Sequence, residues 1–315
     1  MRKVLFALLA LMLMAFAVGC GEEEAEPHIN IGDMESGAGI TSAADLIDFF
    51  ESGGEKAELA RSIDLEDKMI TLSAERGKIT IEGNGNTISG NADCVIRLAD
   101  GAELTLNDVT ITAGSEGIGG LGSGKISGKI TLNAVAHGID FASSVEIGEN
   151  TQIYIKSNQG SAIRAGNLKI GKNCAVYAQG GEDASAVNIF EEDIYLDEGA
   201  VLEAVTDENY NALKCTGTLV MQNGSTLKVK NNGEYHGAEL NEVELYGVVN
   251  IEADGGEKGV GLFAFSACGD YYAIGHCEPE MIVETGNGSI TFVSSADEIP
   301  EPTPEPTETP EQTEE

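Results

Sequence analysis

The sequence predicts an all-β fold, a right-handed parallel β-helix (a solenoid of about eight to nine coils) with a short N-terminal capping helix. Two observations support this prediction. Short segments in which apolar and polar residues alternate recur at an interval of roughly 20 to 26 residues. The chain also contains 40 glycines and no tryptophan, a composition that suits many short strands joined by tight turns.

Three short strands form each predicted coil, and the alternation directs one face of each strand inward. The first strand recurs at residues 79–81, 104–106, 145–147, 168–170, 194–196, 219–221 and 243–245. The second recurs at residues 109–111, 130–132, 153–155, 202–204, 227–229 and 249–251. The third is shorter and recurs at residues 117–118, 138–139, 162–163, 186–187, 212–213 and at Val260. Because one coil cannot bury its inner face alone, the coils should stack around a continuous core.

The corners between strands carry Gly and Asn, which tolerate the positive φ angles of tight turns. Asn150 and Asn173 occupy matching places in adjacent coils. Their side-chain amides are therefore predicted to form a hydrogen-bonded ladder with a structural role.

Both ends of a stack of coils expose strand edges and need caps. Thr41 or Ser42, with Asp45 three residues after Ser42, predicts the start of a capping helix that ends at residues 53–54. Residues 263–293 break the period and are predicted to cap the C-terminal end.

Residues 1–19 have the features of a signal peptide. Two basic residues precede an apolar run of about 15 residues, which is short for a membrane span because roughly 20 are needed. The run ends in AVGC, which resembles the cleavage box of bacterial lipoproteins, although Ala17 stands where that box usually has Leu. The resemblance implies cleavage before Cys20, lipidation of its thiol and an extracytoplasmic location at the membrane surface. An ordinary secretory signal followed by a chance cysteine is the alternative.

The rest of the chain divides by composition into an acidic spacer (20–37), the β-helix domain (38–296) and a disordered tail of Pro, Glu and Thr (297–315). The formal net charge is −35, from 53 acidic and 18 basic residues. Such a charge repels nucleic acid and anionic lipid headgroups, so contact with the membrane is expected only through the N-terminal lipid. A monomer is expected.

The cysteines after Cys20 are odd in number and imply no closed disulfide framework. Cys268 and Cys277 flank a loop and could form a disulfide. Cys94, Cys174 and Cys215 are predicted to be buried thiols. Zinc is not expected, because no cysteine pair lies at ligand spacing near a pair of histidines.

A family resemblance adds to this interpretation. The segment IEGNGNTISG (81–90), after a capping helix and a strand at 62–65, resembles the opening coils of the pectate-lyase-like superfamily. The later coils resemble clostridial carbohydrate-binding β-helix proteins, whose loops repeat an Asp-Gly-Ile-like step. Only the segments 116–118 (EGI) and 137–139 (HGI) keep the glycine of that step here. The resemblance implies a β-helix that binds a polysaccharide such as pectin or cellulose.

The sequence does not favour catalysis by a polysaccharide lyase or hydrolase, although it leaves that role open. Lyases of that superfamily use an Arg beside Ca²⁺, whereas Arg61, Arg76, Arg97 and Arg164 are isolated from one another in this sequence. Related hydrolases carry a Gly-His-Gly segment and paired Asp residues. His137 stands in a similar segment, but no Asp pair that would activate water accompanies it.

The connections from the second to the third strand supply the candidate site. Stacked at roughly 4.8 Å, they should bring acidic residues and tyrosines to one ridge. The candidate metal ligands are Glu182, Asp183, Asp207, Glu208 and Glu234, and the candidate sugar contacts are Tyr210, Tyr235 and His137. Ca²⁺ would relieve the repulsion between stacked carboxylates, since it takes six to eight oxygen ligands. A solvated acidic ridge without a metal is the alternative.

These observations predict a surface-anchored polysaccharide-binding protein, with Ca²⁺ assisting recognition of a pectin-like or other cell-wall glycan. A polysaccharide lyase or glycoside hydrolase with a diverged site is one alternative. A protein-binding adhesin is the other.

The anchor is testable at Cys20. The substitution Cys20→Ser removes the only thiol that the cleavage box would lipidate, so the protein should lose incorporation of labelled fatty acid and move to the soluble fraction. Membrane fractionation measures this, with Cys94→Ser as the matched control. Unchanged membrane attachment of Cys20→Ser would contradict the lipoprotein prediction.

Overall fold

The computed structural model describes residues 39–299, except residues 183, 208 and 285–287. The chain winds into a parallel β-solenoid of about nine turns, which confirms the predicted fold class. The predicted signal peptide with Cys20 and the tail from residue 300 onward lie outside the described residues. So do Asp183 and Glu208.

The N-terminal end is capped by helix α1 (Ala43–Ser52), as predicted. Ser42 is the N-cap: its hydroxyl accepts from the Asp45 backbone N–H at 3.2 Å, and the Asp45 carboxylate accepts from the Ser42 N–H at 3.0 Å. This reciprocal capping box satisfies two of the donors that a helix start leaves free. Phe49 and Phe50 pack into the first coil and are buried. Within the described residues, no helix has the length and apolar character that crossing a bilayer requires.

Twenty-four strands follow α1 in the described chain. They are β1 (Lys56–Glu58), β2 (Ile63–Asp64), β3 (Ile70–Leu72), β4 (Lys78–Glu82), β5 (Thr87–Gly90), β6 (Cys94–Leu98), β7 (Ala102–Ala113), β8 (Glu116–Gly120), β9 (Gly124–Ala134), β10 (Ile139–Ile147), β11 (Gln152–Ser157), β12 (Ile163–Ile170), β13 (Ala175–Gln179), β14 (Val187–Ile189), β15 (Ile194–Leu196), β16 (Val201–Thr206), β17 (Leu213–Met221), β18 (Thr226–Asn231), β19 (Ala238–Leu245), β20 (Val249–Asp254), β21 (Leu262–Ala267), β22 (Asp270–Glu278), β23 (Met281–Val283) and β24 (Ser289–Val293). A short 3₁₀ helix, Ala296–Glu298, ends the described chain.

Strands one coil apart pair in parallel and build three sheets that run the length of the solenoid. The first sheet contains β1, β4, the starts of β7 and β9, the ends of β10 and β12, β15, and the ends of β17, β19 and β21. The second contains β2, β5, the ends of β7 and β9, β11, β13, β16, β18, β20, β22 and β24. The third contains β3, β6, β8, the starts of β10 and β12, β14, the starts of β17, β19 and β21, and β23.

The core is made of inward side chains that repeat at equivalent positions. In the second sheet, Ile153 pairs in register with Ile130 on one side and Val176 on the other, and all three are at most 3% exposed. Burial of a side chain of this size contributes about 1.5–3 kcal/mol. Because each inward position repeats in every coil, the apolar column is continuous.

Residues 263–293, predicted as an irregular C-terminal cap, still form coil strands: β21 pairs with β23, and β22 pairs with β24. The predicted break of the period appears as a shorter repeat, since partners are 24 residues apart at Ala238 and Leu262 but 19 apart at Leu262 and Met281. The third strand predicted at Val260 also begins two residues later, at Leu262. Aromatic residues and Gly275, which has a φ of 128°, obscure the apolar alternation in this part of the sequence.

The corner asparagines are confirmed as left-handed residues, with φ of 56° at Asn150 and 55° at Asn173. Their backbones continue the column, since the Asn150 N–H donates to the Lys172 carbonyl at 2.9 Å. No side-chain hydrogen bond joins the two amides in the described structure, so the predicted ladder is not formed.

The disulfide considered between Cys268 and Cys277 is not formed, and both thiols are free. The Cys268 Sγ lies 2.7 Å from a Glu242 carboxylate oxygen, whereas the Cys277 Sγ lies 3.3 Å from the Glu280 carbonyl oxygen. Cys94, Cys174 and Cys215 are buried thiols, as predicted.

The buried columns give a stability prediction. Leu213 is fully buried in the third sheet, so Leu213→Ala should lower the free energy of unfolding by about 2–5 kcal/mol, because a cavity adds to the lost burial. Leu121, 83% exposed, is the control, and Leu121→Ala should change stability by about 0.5 kcal/mol or less. Urea denaturation followed by circular dichroism measures both. Equal effects of the two substitutions would contradict the assignment of the core.

Candidate functional site

A pocket of about 550 Å³ opens on the outer surface of the third sheet. Its lining combines charged and amide side chains with two apolar side chains at the rim. The polar residues are Arg97, Glu116, Asp140, Arg164 and Asn188, and the apolar pair is Leu121 and Phe190. We call it the third-sheet pocket.

Register in the third sheet brings these residues together. Arg97 on β6 pairs with Gly119 on β8, and Gly119 pairs with Asp140 on β10. Asp140 pairs in turn with Arg164 on β12, which pairs with Asn188 on β14. Gly119 has no side chain between Arg97 and Asp140 in the outward row, and the carboxylate of Glu116 lies close to it. The pocket opens beside this position, where Gly120 is part of the lining.

Asp140 and Arg164 form a fixed ion pair in the pocket. Arg164 Nε and Nη2 donate to the two carboxylate oxygens of Asp140 at 2.7 and 2.6 Å. The Asp140 side chain is only 10% exposed. A bidentate pair of this kind is both strong and oriented, so Asp140 has little freedom to move toward a ligand.

Glu116 is the titratable group of the pocket. Burial raises the pKa of its carboxyl, and the neighbouring carboxylate of Asp140, within hydrogen-bond reach, raises that pKa further. The guanidinium groups of Arg164 and Arg97 oppose this rise without cancelling it. Glu116 therefore keeps its proton to a higher pH than an exposed Glu does.

Arg97 is the cation of the pocket that could contact a ligand. It is half-buried, and within the described chain its guanidinium makes no hydrogen bond and no ion pair within 4 Å. Arg164, by contrast, is engaged by Asp140. A guanidinium presents donors in a planar fork that matches a carboxylate, so Arg97 suits an acidic group of a ligand.

The rim of the pocket exposes two apolar side chains. Leu121 is 83% exposed and Phe190 is 39% exposed. Exposed apolar side chains beside fixed polar groups are typical of ligand sites, where a few polar contacts orient the ligand.

His137 has a structural contact. Its Nδ1 accepts from the Ser161 backbone N–H of the next coil at 3.0 Å. Burial lowers the pKa of the imidazole, and the positive charge of Arg164 lowers it further. His236 makes the equivalent contact with the Val260 N–H, also at 3.0 Å. The repetition indicates a corner role for both histidines; a sugar contact of His137 stays a prediction.

The loops that carry the predicted acidic ridge do lie over one another. The Asn232 N–H donates to the Thr206 carbonyl at 2.9 Å, and the Lys258 N–H donates to the Glu234 carbonyl at 3.1 Å. Glu182 stands on the same side, where its N–H donates to the Asn158 carbonyl at 3.1 Å.

The chain itself supplies partners for two carboxylates of this ridge. Glu234 pairs with the Lys258 ammonium at 2.7 Å, and Asp207 accepts from the Asn232 amide at 2.7 Å. Tyr210 and Tyr235 are 44% and 50% exposed. Internal partners reduce the need for a cation there, and calcium binding stays a prediction.

Among the described residues, the group with metal-ligand spacing is Glu242, Glu244 and Cys268 on the first sheet. None of the predicted calcium ligands belongs to it. Hydrogen bonding to Glu242 raises the pKa of the Cys268 thiol to about 12, with burial and Glu244 adding to the effect. The thiol is then protonated and donates to the carboxylates. Calcium prefers an all-oxygen ligand set, which this group does not supply.

A scan against protein-family models and searches of curated proteins and of solved structures gave no match.

Arg97 and Arg164 are far apart in the sequence and were predicted to be isolated, but both line the third-sheet pocket. A sequence pattern could have shown that they share a row. Arg97, Asp140, Arg164 and Asn188 each directly follow the inward Ile or Val of a third strand. Alignment of the third strands by that apolar residue would have found the row.

The charge arrangement predicts a pKa change. Asp140→Asn removes the negative charge that raises the pKa of Glu116 and frees the Arg164 guanidinium, so the pKa of Glu116 should fall toward the ordinary range. Nuclear magnetic resonance titration of the Glu116 carboxyl carbon measures it. Asp108→Asn, on another surface, is the control and should leave the titration unchanged. A pKa of Glu116 that stays raised in Asp140→Asn would leave burial as its only cause.

Proposed function

We propose that this protein is a lipid-anchored, extracytoplasmic polysaccharide-binding protein and that the glycan binds in the third-sheet pocket. The observation that carries the proposal is the guanidinium of Arg97, which forms no hydrogen bond or ion pair with a described residue, in an open pocket with fixed polar groups and an apolar rim. Sugars present hydroxyl groups and apolar C–H faces together, and this lining offers a partner for each. The resemblance to the pectate-lyase-like superfamily supports the same class of ligand.

An acidic, pectin-like polymer fits the charges of the pocket. The net charge of −35 repels such a polymer in general, so a local cation is needed. Arg97 can provide it through a bidentate contact with a uronate carboxylate. Ca²⁺ held by Glu182, Asp207 or Glu234 on the loop ridge would be a second way to offset the charge.

Binding is favoured over glycoside hydrolysis by the contacts of the carboxyl groups. Hydrolases need one carboxyl group as a general acid and a second one that acts as nucleophile or base. Arg164 binds both carboxylate oxygens of Asp140, so Asp140 is poorly placed for either role. A lyase remains the alternative, because Arg97 stands free beside a carboxyl pair; new absorbance from unsaturated uronate would reveal it.

The proposal is tested by titrating the mature protein with polygalacturonate in a calorimeter. Arg97→Ala should weaken binding by roughly tenfold or more, since it removes a charge-assisted contact. Phe190→Ala should weaken it by a smaller factor, because it removes apolar contact at the rim.

Tyr210→Ala and Tyr235→Ala serve as controls on the loop ridge. If these variants weaken binding and Arg97→Ala does not, the ridge is the site and the pocket is not. Repeating the titration with Ca²⁺ and with a chelator tests the metal: equal affinity in both would exclude assistance by calcium. No heat with polygalacturonate or with any polymer of a cell-wall glycan panel would overturn the proposed function.

A further inference from the structure

We infer that the outer surface of the second sheet carries a separate binding site for a neutral glycan, built on the stacked rings of Tyr154 and Tyr177. This inference rests on the proposed function, because it assigns a second glycan site to the same solenoid. The two sites lie on different sheets and differ in charge.

The two tyrosines form a rigid aromatic unit. Tyr154 on β11 and Tyr177 on β13 are partners in register. Their rings are parallel within 3°, and their centroids are 4.7 Å apart. Tyr154 remains 41% exposed, while Tyr177 is half-buried beside it. Since stacking holds both rings in place, a ligand would lose little free energy in ordering them.

Space for a ligand lies beside the rings. A depression of about 310 Å³ is lined by Tyr154 and Tyr177 together with polar side chains of the neighbouring coils. Thr131 precedes Tyr154 in the outward row and is much smaller, which opens the row on that side. Gln152 and Thr131 contribute an amide and a hydroxyl to the lining. A sugar ring could contact the tyrosines through its C–H face and direct its hydroxyls to these groups.

The charges around the rings favour a neutral ligand. Lys129, the cation in the lining, is 3.3 Å from the Asp108 carboxylate. Glu203 follows Tyr177 in the outward row. Burial raises the pKa of the Tyr177 hydroxyl, and Tyr154, Glu203 and Asp207 add to the rise. This field would repel a uronate, in contrast to the third-sheet pocket with its free Arg97.

The size of the apolar surface favours a sugar over a protein. A stable protein interface buries about 800 Å² on each partner around an apolar core. Tyr154 is the one large apolar side chain of the described second sheet that is strongly exposed. One exposed ring with a half-buried neighbour suits a ligand of a few sugar units, and the net charge of −35 opposes nucleic acid.

The experiment uses the mature protein and a panel of neutral oligosaccharides: cello-, xylo-, manno- and galacto-hexaose. Binding is followed by calorimetry and by tyrosine fluorescence, which is informative because the chain has eight tyrosines and no tryptophan. Tyr154→Ala should weaken binding of the recognised oligosaccharide by roughly five- to tenfold, as expected for loss of an aromatic contact. Tyr154→Phe keeps the ring and should bind within roughly twofold of the unsubstituted protein.

Tyr246→Ala is the matched control, since Tyr246 is 50% exposed on another surface. It should leave binding unchanged, as should Arg97→Ala in the third-sheet pocket. Equal affinity of Tyr154→Ala for the recognised oligosaccharide would overturn the inference, and so would the failure of every neutral oligosaccharide to bind. In either case, binding of polygalacturonate that depends on Arg97 would leave the proposed function standing. Circular dichroism melting of each variant separates loss of binding from loss of folding.

Discussion

The structure depends on one constraint: each coil must lie in register on the coils before and after it. A coil of this chain forms few hydrogen bonds within itself, because its strands donate to and accept from neighbouring coils. Its inward side chains, such as Ile153 between Ile130 and Val176, are buried only when those neighbours are present. Helix α1 covers the N-terminal end of the described stack, before its first coil.

The same register that builds the core builds the surface sites. Side chains directed outward at one position of every coil form a row along the solenoid, and their order follows from the order of the coils. In the third sheet the row places Arg97, Gly119 and Asp140 in succession. In the second sheet it stacks Tyr154 on Tyr177. Because these side chains point outward, a substitution in such a row is expected to change the surface and leave the buried core in place.

The net charge of the protein is strongly negative, but along these rows acidic side chains often lie next to basic ones. On the first sheet, Lys125 pairs with Glu146 at 2.9 Å, and Lys169 approaches the same carboxylate at 3.8 Å. Exposed pairs of this kind contribute only about 0–1 kcal/mol each, but they keep like charges from meeting in adjacent coils. Arg97 differs because its neighbour in the row is Gly119, and its charge acts on the Glu116 carboxyl without an ion pair within 4 Å in the described chain.

The repeat, the three strands of a coil, a capping helix that starts at Thr41 or Ser42 and the corner residues Asn150 and Asn173 could all be predicted from the sequence. These features are local, since alternation, capping and positive φ each depend on residues close together in the chain. The sequence could not show which outward residues come together in the folded chain: Arg97 and Arg164 line one pocket, Tyr154 stacks on Tyr177, and Cys268 contacts Glu242 instead of Cys277. Those contacts depend on a register that varies with the length of every corner, so a shift of one residue in a coil would have brought other side chains together.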